Sequence, residues 1–264
     1  NDGAAAPVDG HLRHGAAIGV YPNLAARRGG RHFQDSGVVV WHGHPWSVFF
    51  DVGMIGPDYQ PAHAHADTLT IECSFAGKRL FVDPGCHSYD RNERRRYDRM
   101  TDSHNTVCID DVDSSEVWHV FRVGRRARPC DVSVQFSADR ARCQAGHHGY
   151  DHLRGQPRHI RALDVSDDGA VIVTDQVSGE GCHRVRGGFT LAPQWEARPI
   201  ACGWELSGNG ECIELRVSSS STPALSVERV PYHPEYGLEL ETNRVVWRYE
   251  GKLPLQVCFA VTGR

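Results

Sequence analysis

Ten short runs of apolar or alternating side chains, each closed by turn chemistry, recur along the chain and leave little room for helices. They occupy residues 38–41, 46–52, 69–75, 80–83, 106–109, 132–136, 170–177, 211–217, 244–249 and 255–261. Asp167-Asp168-Gly169, Gly208-Asn209-Gly210 and Thr242-Asn243 are the clearest turns between them. A spacing of two places alternate residues on one face of an extended strand, and Gly, Asn and Asp supply the backbone freedom that tight turns need. Helical spacing is hard to find beyond the first 30 residues, where residues 24–28 offer one short turn of helix. The pattern predicts an all-β fold, a large antiparallel β-sandwich of a dozen or more strands. Residues 1–35, rich in Gly and Ala and poor in pattern, read as a lead-in arm or linker, and residues 36–264 as the sandwich. At 264 residues the chain is long enough to bury a substantial single core.

Composition removes several function classes. A formal charge of −4 provides no global field for nucleic acid, and no apolar run reaches membrane-spanning length. No signal peptide opens the chain. It starts at Asn1 and holds only Met54 and Met100, so it reads as a processed portion of something longer whose address label lay elsewhere. The nine cysteines are scattered singly with no Cys-x-x-Cys pair, which argues against a cysteine zinc site. Buried free thiols are the plain reading and suit a reducing compartment slightly better, with a disulfide or two still open.

Chemistry-bearing residues concentrate in one stretch. His63-Ala-His65-Ala-Asp67 is followed by Val82-Asp83-Pro84-Gly85 and then by Ser103-His104-Asn105-Thr106. If residues 63–73 run as one strand, His63, His65 and Asp67 share a face that Leu69, Ile71 and Cys73 continue as an apolar wall. Two imidazoles and one carboxylate make a His₂Asp set suited to Zn²⁺, with His65, Asp83 and His104 as the candidate ligands. A hairpin turning at Ala76-Gly77 pairs Asp83 with roughly Thr70 or Ile71. His65 then lies several residues away unless residues 63–67 bend back or a bulge shifts the register, so spacing alone does not close the site. His42-Gly43-His44 has the same spacing beside a turn at Pro45 but lacks an acidic partner, and reads as structural. Between Asp83 and His104 run about twenty residues with hardly an aliphatic side chain, a length that marks functional or disordered loops. Arg94, Arg95, Arg96 and Arg99 there can grip carboxylates or sulfates, or be neutralised by Asp90, Glu93, Asp98 and Asp102.

In their order these motifs resemble the heparinase II/III-like polysaccharide lyases. The likeness rests on His-x-His-x-Asp-x-Leu, Phe81 to Gly85 with Tyr89 after it, and Arg99 to Val107. It continues through residues 110–115, Phe121-Arg122 and residues 126–128, and on through residues 159–163 and 174–177. It is tight over about residues 60–130 and looser to about residue 200. The resemblance implies a β-sandwich that follows an N-terminal (α/α) toroid, with zinc held by His65, Asp83 and His104. It puts His63 in the catalytic cleft with a sandwich tyrosine, matched here by Tyr89 and secondarily by Tyr97. The toroid, which supplies an Asn or His and a Tyr, is absent from this sequence. The implied reaction is β-elimination on a uronate-containing, acidic polysaccharide, with His63 and Tyr89 catalytic and Arg99 and Tyr97 binding substrate. The toroid is then the missing partner, and the resemblance favours a periplasmic or secreted bacterial enzyme. Two rivals stand beside it. A cupin-like metal enzyme also uses His-x-His on a strand, but Glu72 comes too late for the usual cupin glutamate. A non-catalytic carbohydrate-binding or scaffolding sandwich with architectural zinc could use Trp118, Trp195, Trp204 or Trp247 to stack on sugars.

Overall fold

The computed structural model describes residues 28–167 and 169–264. Most of the proposed lead-in arm and of the turn at residues 24–28 lies outside this set, as does Asp168. The first strand, however, already begins inside the proposed arm. In chain order the elements are β1 (Gly29–Phe33), β2 (Val38–His42), β3 (Trp46–Asp51), β4 (Ile71–Phe75) and β5 (Lys78–Phe81), then α1 (Glu93–Arg99) and a 3₁₀ turn at Thr101–Ser103. β6 (Val107–Ile109), β7 (Val117–Trp118), β8 (Arg122–Val123), β9 (Pro129–Phe136), β10 (Arg140–His147), β11 (Arg158–Ser166) and β12 (Val171–Ser178) follow. β13 (Cys182–Thr190), β14 (Glu196–Ile200), β15 (Gly203–Gly208), β16 (Glu211–Ser219), β17 (Ala224–Glu235), β18 (Leu238–Lys252) and β19 (Leu255–Gly263) complete the chain. Among the described residues 56% are strand and 4% helical, which makes the fold the expected all-β sandwich.

An eight-stranded sheet in the order β14-β15-β16-β19-β12-β11-β10-β9 is one layer, and every pairing in it is antiparallel. A five-stranded sheet, β1 to β5 in sequence, and a four-stranded sheet, β17-β18-β13-β6, provide the rest of the sandwich. These two smaller sheets meet where Phe81 bridges to Leu191 and the Phe81 and Phe189 rings stack at 4.7 Å. Phe189 and Trp247 in turn touch Phe259 of the large sheet. Alternation explains the burial: in β11 every second residue from His159 to Val165 points inward. Trp41, Trp46, Trp195, Trp204 and Trp247 are at most 2% exposed, so of the tryptophans offered for sugar stacking only Trp118, at 40%, faces solvent. All nine cysteines are free thiols.

Two local expectations change. Residues 63–67 are not strand: β4 starts only at Ile71, and Leu69 takes a left-handed φ of 67° while its amide donates to the Asp51 carbonyl. This kink folds residues 63–67 back over the strand end, one of the two outcomes that ladder counting left open. The other also occurs, because the β4–β5 register shifts between Cys73 and Ser74. The long polar loop also contains a helix. Asn92 caps α1 by accepting from the Arg95 amide, Glu93 sits in the first turn, and Arg96 and Arg99 sit in the last. Its inward face is Arg95, Asp98 and Arg99 rather than aliphatic, and hydropathy periodicity has nothing to register there.

Candidate active site and metal centre

Two loops are sewn together over the edges of β4, β5 and β13. The Thr101 hydroxyl donates to the Ala66 carbonyl, the Thr106 hydroxyl to the Thr68 carbonyl, and the Ala66 amide to the Arg99 carbonyl. Asn105 is wholly buried and fully used: its amide nitrogen donates to the carbonyls of Ile71 and Val82, and its oxygen accepts from the Thr190 amide. Arg244 donates to the carbonyls of Ser103 and His104 from the other side. From the large sheet, the Arg161 guanidinium reaches the carbonyls of Leu69 and Asn105 while bound to Asp175. Asp83-Pro84-Gly85 is held by the Gly85 amide donating to Asp83 and the His233 amide donating to Pro84. Gly85 has φ +80°, and a Cβ there would fall 1.8 Å from the His233 carbonyl oxygen, so only glycine fits.

This frame brings His65, Asp67 and His104 together, all buried, with one potential ligand atom of each within 4.8 Å of the others. The His65 and His104 rings lie 5.3 Å apart. Asp83 sits behind His104, its carboxylate 2.7 Å from Nδ1. Of the three ligands drawn from the resemblance, then, the two histidines lie together. Asp83 is reached through His104, and Asp67 stands in the cluster itself. The signal for Asp67 was present in the motif, but it only gains meaning once the chain folds back at Leu69. His42-Gly43-His44 joins no such group among the described residues.

The donor set suits a divalent cation. With Nδ1–H donating to Asp83, His104 Nε2 carries a lone pair in a fully buried place, and it has no hydrogen-bond partner. Arg95 Nη1 lies 3.3 Å from His65 Nε2, so a cation taken up by that nitrogen would displace the guanidinium. Asp51, Asp67, Glu72 and Asp83 line one cavity of about 200 Å³, in which Arg79 pairs with Glu72. Burial and the neighbouring Asp67 push the Asp51 carboxyl well above the usual range, the mark of crowded negative charge. Burial also opposes ionisation of Asp83, but contact with the His104 imidazole outweighs it and holds that carboxyl well below the usual range. A carboxylate behind a histidine whose other nitrogen faces the site is the arrangement that orients metal-binding imidazoles.

Beside this cluster His63 is exposed and its Nδ1 lies 3.0 Å from the Tyr89 hydroxyl. The Arg95 guanidinium carbon lies 4.9 Å from the centre of the Tyr89 ring, a cation–π contact. The other two expected cleft residues are placed differently. Arg99 is 1% exposed, and its guanidinium donates to the carbonyls of Ala64, Trp118, His119 and Arg122, so it braces the loop. The Tyr97 hydroxyl is enclosed without a partner, and burial pushes it up to about 12. Three of the loop's other charges are neutralised across elements, Arg94 by Glu239, Asp98 by His233 and Asp102 by Arg186, while Arg96 pairs with Glu93 inside the helix.

A sequence model of the heparinase II/III-like C-terminal domain matches residues 25–258. The chain belongs to that family. Among solved structures this heparinase II/III-like domain is similar to a heparinase III with a TM-score of 0.72 at 18% identity, covering 89% of this chain and 36% of that one. It is similar to the heparan sulfate lyase of Pedobacter heparinus with a TM-score of 0.72 at 13% identity, covering 95% of this chain and 41% of that one. A further heparinase III gives 0.68 at 16% identity, covering 89% and 37%. At these identities the likeness concerns the fold, and the chain spans about two fifths or less of each of these proteins. A search of curated protein sequences returns no match.

Proposed function

We propose that this domain is the sandwich half of a polysaccharide lyase that cleaves uronate-containing chains by β-elimination. The observation that carries the reading is the His63–Tyr89 hydrogen bond, an exposed proton-transfer pair one residue away from a buried His65, Asp67 and His104 cluster. In the elimination the C5–H and C4–O bonds of the uronate break, a C4=C5 double bond forms, and the proton ends on the departing O4. The C5 proton is a poor acid until the adjacent carboxylate is neutralised and the developing enolate meets fixed donors. In this reading Tyr89 removes the proton and returns one to the leaving oxygen. His63, bonded to its hydroxyl, holds the tyrosine's proton in reserve and faces the carboxylate.

His65 and His104, with Asp67 and Asp83 as their carboxylates, are the residues that would hold zinc. A bound ion there would tie the loop bearing His63 to the segment bearing His104. Its role is thus architectural, and no step of the elimination needs it. The expected partners are an acidic polysaccharide and an upstream toroid that completes the groove.

The test is ultraviolet absorbance of the unsaturated uronate, read on heparan sulfate, alginate and bacterial exopolysaccharides. The isolated domain is expected to bind oligosaccharide without cleaving it, and cleavage is expected when the upstream part is joined to it. Absence of both binding and cleavage on every polymer, with the upstream part present, would overturn the reading. Iron or manganese in place of zinc would favour the cupin-like alternative.

A further inference from the structure

Tyr236 sits 66% exposed at the tip of the β17–β18 hairpin, and its ring centroid is 5.7 Å from that of Tyr89. Phe121, 46% exposed in the β7–β8 turn, lies at the same 5.7 Å from Tyr89. The two flanking rings tilt from Tyr89 by 42° and 39°. Exposed aromatics of this size invite a partner surface when they cluster.

The tip is mounted rigidly. The Gly237 amide donates to the His87 carbonyl and the His233 amide to the Pro84 carbonyl. The buried His233 ring is held between Asp98 at 2.5 Å and Glu239 at 3.1 Å, and Glu239 is held in turn by Arg94 at 2.6 Å. An ordinary solvated hairpin tip needs no such anchorage. It fits a side chain whose position relative to Tyr89 matters.

Resting on the lyase reading above, we propose that Tyr236 is a substrate-contacting residue. Its ring and that of Phe121 would form the walls of a stacking trough for the sugar units next to the bond that Tyr89 acts on. Pyranose rings present flat C–H faces that pack on aromatic rings, and their hydroxyls remain available to Tyr89 and His63. Tyr236 thus selects for sugar rings at this point of the chain, whatever acidic group they carry.

The test is calorimetric titration of the domain with a size-fractionated heparan sulfate octasaccharide, comparing wild type with Tyr236→Ala, Tyr236→Phe, Tyr236→Trp and Phe121→Ala. Loss of one aromatic contact of this kind is expected to weaken binding on the order of tenfold in the two alanine variants. The Phe and Trp variants should stay near wild type, because the ring and not the hydroxyl makes the contact. Unfolding midpoints of all variants should match wild type. If Tyr236→Ala misfolds, Phe121→Ala and the Trp variant still decide the matter, since they sit on a separate element or keep the ring. A wild type that binds, with alanine variants that bind equally well, overturns this proposal and leaves the lyase reading standing. A wild type that binds no octasaccharide from heparan sulfate, alginate or a bacterial exopolysaccharide overturns this proposal, and the lyase reading falls with it only if joining the upstream part restores neither binding nor cleavage.

Discussion

His104 uses its two nitrogens differently, and the difference can be read out. Nδ1 bonds to Asp83, while Nε2 is buried without a hydrogen-bond partner in a ring grouped with His65 and Asp67. His104→Ala and His65→Ala should therefore abolish stoichiometric zinc in elemental analysis of the purified domain. Asp67→Asn and Asp83→Asn should each weaken zinc by about 10- to 100-fold, one as a ligand and the other by releasing the imidazole it orients. Full zinc retention in His104→Ala would remove the metal from this site. The Arg161–Asp175 pair belongs to the same scale, since both side chains are 1% exposed and Arg161 reaches across to the carbonyls of Leu69 and Asn105. Arg161→Ala leaves the buried Asp175 carboxylate with His159 as its remaining side-chain partner and should cost about 3 kcal/mol in urea denaturation, against a much smaller loss for an exposed pair such as Arg229–Glu241.

At the scale of elements, the β10–β11 pair and the β17–β18 hairpin give the domain opposite responses to pH. His147 on β10 and His159 on β11 are fully buried with rings 5.5 Å apart, and burial holds both below the ordinary histidine value of 6.5. They fold as neutral rings, whereas below about 6.5 the unfolded chain takes up protons there. Their contribution is present above that value and is lost as pH falls, by up to about 1.4 kcal/mol per pH unit for each ring. His233 behaves in the reverse sense. Burial opposes its charge, but Asp98 and Glu239 outweigh that and raise it above 6.5, so its contribution is complete below that value and fades as pH rises through the raised one. Urea midpoints are expected to fall from about pH 7 to pH 5, and a His147→Gln variant should show a shallower fall. Hydrogen exchange at the Gly237 amide should accelerate above neutral pH and in His233→Gln, because the clamp on the hairpin loosens. The same elements show where sequence is legible. Alternation in β10 to β12 and in β19 marks the strands directly, and the histidine motifs point to the loop that matters. The clamp was invisible, since Asp98 and His233 are 135 residues apart and neither lies in a recognisable local pattern. Asp67 and α1 were missed for related reasons: a left-handed leucine turns one inward, and a charged inner face disguises the other.

For the whole molecule, the division between frame and chemistry decides what this domain does alone. Asn105, Arg161 and Arg244 fix the loops from three sheets without any contribution from outside the chain. The His65, Asp67 and His104 cluster and the His63–Tyr89 pair should therefore be formed in the isolated domain. The surface around them is another matter. His63 and the Tyr236 ring are open to solvent, and the solved relatives are more than twice as long as this chain. A β-elimination needs donors on the uronate carboxylate as well as a base, and among the described arginines nearest the pair Arg95 and Arg99 are both spent on internal contacts. On the proposed lyase reading, carboxylate neutralisation would be completed by the upstream toroid. Joining that segment should raise the rate of unsaturated uronate release by several orders of magnitude while tightening oligosaccharide binding far less, because the added groups act on charge that develops in the transition state. A domain that cleaves at full rate alone would show that His63 and Tyr89 need no help, and that the toroid serves only to hold the polymer.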